Sequence, residues 1–164
     1  MTPWWKARKK WQKITIISIV IILLLVGITD SNRIIDSNRT TDLAPLLGRN
    51  ADEAYKYFDK NTFYLSEVGT SLIHDEPLVM INIKTQRVYS VDLHKAYQNS
   101  NDYSICGIKI GDSKDKVTEI IKEYNMTEAY PGTSSEWYYD LPNGFGLWIV
   151  FDDNGKVNYI SLDD

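Results

Sequence analysis

The sequence predicts an α+β fold: two tandem helix-plus-antiparallel-meander units forming one small domain, preceded by a single N-terminal transmembrane helix. Three observations carry that expectation. An uncharged apolar run fills residues 14–28, a glycine-led helix start occurs twice, and a strand–turn–strand pattern recurs at nearly the same spacing.

The apolar run is "ITIISIVIILLLVGI", softened only by Thr15 and Ser18. A buried core helix keeps a polar face, and this run has none. At about 1.5 Å per residue it falls short of a bilayer core of roughly 30 Å, so its flanks matter. Trp4, Trp5 and Trp11 suit the headgroup region, and Lys13 can extend towards it. Lys6, Arg8, Lys9, Lys10 and Lys13 precede the run without a single acid, which places that end in the cytoplasm and the body outside. Residues 1–13 are thus a basic cytoplasmic end and 14–29 the membrane anchor. A cleaved signal peptide, with secretion of the body, is the alternative; its small-x-small site would be the weak pair Gly27 and Thr29. Residues 30–43 contain "DSNR" twice, and such side chains compete with helix and strand for backbone hydrogen bonds, so this stretch reads as a tether.

Residues 44–164 form the outward domain. In its first half, about 44–94, Gly48 leads into Asn50, Asp52, Ala54 and Phe58. In the second, about 104–164, Gly111 leads into Ser113, Asp115, Val117 and Ile121. Each series is a turn glycine, an N-cap, an acid at the positive end of a helix, and an i, i+4 apolar pair. Downstream, "LVMINIKTQRVYSVDL" (78–93) aligns with "LWIVFDDNGKVNYISL" (147–162) at a shift of 69 residues. Both alternate as hairpins, and Asn-Gly in the second is a strong turn signal. A further strand, "EWYYD" at 136–140, precedes the turn "LPNG", and "FYLSEVGTSLIH" supplies its counterpart in the first half.

The stretches "GIKIGDSKDKVTEII" and "WYYDLPNGFGLWIVFDDNGKVNYISL" resemble the β-lactamase-inhibitor-protein-like (BLIP-like) and SmpA/OmlA outer-membrane-lipoprotein group. The opening of the first also resembles repeats of CAP-associated domains. The resemblance implies a short helix before a small antiparallel meander, and a role in binding proteins or in envelope assembly rather than catalysis. It transfers no functional residue. The lipid-bearing cysteine of the lipoproteins is missing, which points to a single-membrane envelope.

Composition narrows the function. Of 18 Lys and Arg, five lie in the first 13 residues, leaving 13 cations against 22 acids and a formal charge of −9 on the remainder. So acidic a body, without a basic stripe, repels phosphate backbones, and no nucleic acid is expected. Cys106, the only cysteine, sits among Ile105, Gly107 and Ile108 and reads as a small buried hydrophobe. His74 and His94 are isolated, no G-x-S-x-G elbow accompanies them, and "DDNG" at 152–155 lacks calcium-loop spacing. Accordingly no catalytic residue, metal site or cofactor is assigned.

Tyr and Trp abound, and such side chains supply much interface energy. Strand alternation sets Trp137 and Tyr139 on one face and Tyr138 on the other, with Trp148 opposed to Ile149 and Phe151. Tyr138, Trp148 and Tyr159 are the candidate protein-binding patch. The expected function is a membrane-anchored, extracytoplasmic, non-catalytic protein-binding module. Its partner is an envelope or extracellular protein, with a homodimer mate left open. The alternatives are an inhibitor or immunity-type module that blocks an enzyme and, behind it, a small envelope hydrolase using His74 or His94.

Overall fold

A computed structural model describes residues 40–164, and its dominant element is one eight-stranded antiparallel sheet. The strands are β2 (Tyr64–Leu65), β3 (Ser71–Asp75), β4 (Leu78–Asn82), β5 (Arg87–His94), β7 (Thr127–Tyr130), β8 (Glu136–Asp140), β9 (Gly146–Phe151) and β10 (Val157–Asp163). They lie in the order β2-β3-β4-β5-β10-β9-β8-β7. A separate parallel pair joins β1 (Thr41–Asp42) to β6 (Tyr103–Ser104). Two helices, α1 (Ala51–Ala54) and α2 (Lys114–Glu123), precede the two halves of the sheet.

Local chemistry accounts for the helix starts. Gly48 and Gly111 both hold positive φ, +73° and +86°, which glycine adopts without a Cβ clash. Asn50 then caps α1 by accepting the Asp52 N–H, and Ser113 caps α2 by accepting the Lys116 N–H. The same backbone bonds tie each start to its strand. Gly48 N–H donates to the Val88 carbonyl and Val88 N–H to that of Arg49, while Gly111 donates to Val157 and Val157 to Asp112. Both hairpins also bulge at one place. Register slips over Tyr89 in β5 and over Asn158 in β10, positions 69 residues apart.

The fold-class expectation nevertheless needs correction. The molecule is mainly antiparallel β, not α+β. β5 and β10 pair along five residues, from Ser90 opposite Asp163 to His94 opposite Tyr159, so the two meanders merge into one sheet. Helix α1 is a single turn. Its continuation holds Tyr55, Tyr57 and Phe58, whose rings lose rotamer freedom in a helix, and Asp59 immediately caps a new 3-10 turn at Lys60–Thr62. Among the described residues no helix is long and apolar enough to cross a membrane. The run 14–28, expected to be the transmembrane helix, lies outside the described residues, as do the basic end and most of the tether. Residues 40–43, placed in the tether by composition, belong to the packed body: β1 pairs with β6, and Leu43 is fully buried.

Side-chain alternation divides the sheet into two faces. Val79, Ile81, Val88, Val91, Leu93, Leu147, Ile149, Phe151, Ile160 and Leu162 point to one side and form the core with Ala51, Ala54 and Phe58 from the α1 segment and Val117 and Ile121 of α2. The helices therefore cover that side. The opposite side, which carries the alternate residues, is covered by neither helix and is called the open face.

Candidate functional site

The register places the open-face residues in rows running across the strands. One row holds Tyr130 of β7, Tyr138 of β8, Trp148 of β9, Ser161 of β10 and Asp92 of β5, each directly opposite the next. The row beside it holds Asp140, Gly146 and Asp163. On its other side Glu136 and Val150 lead to Tyr159 and His94.

The three residues singled out from sequence meet here, as links of one chain of rings. Tyr138 and Trp148 stack nearly parallel, with centroids 5.8 Å apart and an interplanar angle of 9°. Tyr159 meets Trp148 edge-on at 5.1 Å. Tyr130 extends the ladder by packing on Tyr138 at 4.4 Å, and His94 and Tyr97 extend it beyond Tyr159. Such pairs are worth about 0.5–1.5 kcal/mol each beyond their buried area, so the ladder is a preformed, rigid surface. Tyr138, Trp148 and Tyr159 are half-buried by one another, whereas Tyr130 is 55% exposed. Sequence reading missed Tyr130. Its strand, β7, is a four-residue edge piece with a bulge at Ala129, too short and irregular to alternate visibly.

Acids accompany the rings. Glu136 accepts the Tyr138 hydroxyl at 2.6 Å, and that bond is the chief reason the phenol is pushed up to about 12, keeping the ring neutral. Asp92 is buried in the middle of the face. Its carboxylate accepts Ser161 Oγ–H at 2.7 Å, Ser90 Oγ–H at 3.2 Å and the Tyr159 hydroxyl at 3.0 Å. Burial raises its pKa against the pull of these donors, and the Asp163 charge adds to the rise. Burial likewise raises Tyr159. Ser161 Oγ also lies 2.9 Å from Asp163 Oδ2, and one hydroxyl proton cannot serve both carboxylates. Trp148 Nε1 is buried with no acceptor among the described residues.

The two histidines do not converge on each other. His74 belongs to the core side, where its ring packs on Phe58 at 4.5 Å and Phe63 at 5.3 Å and its Nδ1 lies 2.8 Å from the Pro77 carbonyl. His94 lies on the open face, but its Nδ1 accepts the Ala96 N–H at 3.0 Å. Cys106 is buried, its thiol pushed up to about 12 by desolvation and then by Asp42, which leaves it protonated and inert at neutral pH. Among the described residues no group of three or more His, Cys, Asp or Glu is placed to hold a metal ion.

A groove on another side, about 510 Å³, is edged by Arg49, Arg87 and Asp164 over Leu47 and Phe145. Its charges are mixed and it lacks a stack of rings. What the open face offers chemically is a flat aromatic strip flanked by carboxylates. No protein-family model matches this chain, and neither the curated proteins nor the solved structures contain a significant match to it.

Proposed function

We propose that the body is a non-catalytic protein-binding module that holds its partner on the open face of the sheet, along the ladder Tyr130–Tyr138–Trp148–Tyr159. The observation that carries this reading is that four aromatic side chains from four strands stand in ring contact on the side opposite the helices. Folding alone does not call for such a strip, since the core lies on the other face. Preordered rings lose little entropy on binding, which is why Tyr and Trp dominate interface energetics. The resemblance of the α2–β8–β9–β10 stretch to the BLIP-like group supports the same class. In this reading the apolar run at 14–28 keeps the module at a membrane, with the body on the outer side and an envelope or extracellular protein as partner.

A position-specific photocrosslinker separates the faces. Placed at Tyr138 in the full chain, it is expected to trap a defined partner in producing cells, whereas the same group at Glu119, exposed on α2, traps none. Crosslinks from position 119 alone would move the binding surface to the helical side.

The acids of the open face favour a second reading, an inhibitor or immunity-type module seated in the basic cleft of an enzyme. A trapped partner that keeps its activity in the complex argues against it.

A further inference from the structure

Gly146 is the one residue in its row without a side chain, and its two cross-strand neighbours are acids: Asp140 on β8 and Asp163 on β10. At roughly 4.8 Å between strands, those Cα atoms stand about 10 Å apart with a gap between them. A Cβ built at Gly146 meets nothing within 4 Å, so the gap is open space. The adjoining row forms one wall from Tyr130, Tyr138 and the Trp148 ring. Together these residues line a cavity of about 220 Å³.

The cavity's chemistry is one-sided. Its charged lining residues are both acids, Asp140 and Asp163, and Asp75, Asp92 and Glu136 stand on the same face of the sheet. Arg87, at the start of β5, turns its guanidinium to the Gly48 carbonyl. The ion pairs among the described residues use Glu53, Asp112 and Asp152, and none engages Asp140 or Asp163. Residues 40–164 hold 11 Lys and Arg against 20 Asp and Glu, so the long-range field reinforces the local one. Aromatic faces attract cations through their quadrupoles, and a guanidinium also stacks flat on them.

We propose that this cavity receives the cationic side chain, arginine or lysine, of a basic segment of the partner, with the aliphatic stem against Tyr138 and Trp148 and the charge between Asp140 and Asp163. The assignment rests on the open-face reading above and adds the partner's chemistry to it. A second copy of this chain is a poor occupant, because two acidic faces repel.

The test titrates the purified full chain in non-ionic detergent with three short Gly/Ser peptides carrying arginine, lysine or glutamate at the same positions. Binding is read by calorimetry and by the indole N–H resonance of Trp148. Arginine and lysine peptides are expected to bind and the glutamate peptide not to. Affinity for both basic peptides should fall about tenfold or more in Gly146→Leu, which fills the gap, and in the double variant Asp140→Asn/Asp163→Asn. Unchanged far-UV circular dichroism and melting temperature establish that these variants fold. Equal binding by wild type and Gly146→Leu overturns the proposal, as does equal binding of basic and acidic peptides. If no peptide binds while the Tyr138 crosslink persists, the cation assignment falls and the open-face reading stands. If both are absent, both fall.

Discussion

Asp42 accepts three backbone N–H groups: Ala44 at 3.1 Å in its own turn, then Cys106 at 3.0 Å and Gly107 at 3.2 Å from a turn more than sixty residues away. Cys106 and Gly107 both hold positive φ, 53° and 76°, and Ile105 and Ile108 bond reciprocally across them. The carboxylate therefore steadies a tight turn that a cysteine does not itself favour. Asp42→Ala leaves those donors without an acceptor, and urea unfolding should show a loss of about 1–3 kcal/mol. Asp92 is the opposite kind of acid. Its raised pKa means that the folded protein binds its proton more tightly than the unfolded chain. Its contribution to stability is therefore present below the ordinary carboxylate range and is lost as pH rises towards the folded value. Asp152 runs the other way, held below its ordinary range chiefly by the Lys156 amide in the hairpin turn, so its contribution is lost as pH falls. Across this acid window the urea midpoint of Asp92→Asn should gain on that of the wild type as pH rises, because only the wild type loses the Asp92 contribution. Parallel curves would remove Asp92 from the account.

Capping and the two glycine-led starts were legible at the level of elements because they depend on neighbours in the chain. Asn50 and Ser113 follow Gly48 and Gly111 by two residues and accept the expected N–H groups. Helix length was not legible to the same degree. α2 runs ten residues on one apolar stripe, whereas α1 stops after one turn, because the rings of Phe58 and Phe63 pack on His74, and Tyr55 on Phe63, in preference to extending the helix. The two caps should therefore differ in weight. Ser113→Ala is expected to cost about 1 kcal/mol in thermal or urea unfolding, and Asn50→Ala less, since little helix depends on it. Equal losses would show that α1 matters beyond its single turn. The sheet edges follow the same logic: β2 is two residues long and β7 is bulged, which leaves little straight edge for another chain to extend.

On the scale of the molecule, the β5–β10 seam holds the two halves as one sheet. Val91, Leu93, Ile160 and Leu162 face the core across it, all fully buried. Each such side chain contributes about 1.5–3 kcal/mol by burial, so either half alone would present an uncovered apolar strand. A chain divided after Gln98 should give two pieces without a cooperative unfolding transition by circular dichroism, and mixing them should restore one. A half that melts cooperatively by itself would mean that the seam is dispensable. The seam itself was not legible in the sequence, because strand patterns report which residues face a core, not which strand lies next to which.

The alternation of Trp137, Tyr138 and Tyr139 and of Trp148, Ile149 and Phe151 was fixed by the chain alone, because a strand's two-residue period turns neighbours to opposite faces whatever surrounds it. So were the capped starts and the excess of acid. Tertiary structure decided that Tyr138, Trp148 and Tyr159 share an open face with Tyr130, that Asp140 and Asp163 flank Gly146, and that the halves fuse through β5 and β10. Those outcomes depend on register between strands distant in sequence, and register is set by how the whole apolar surface packs.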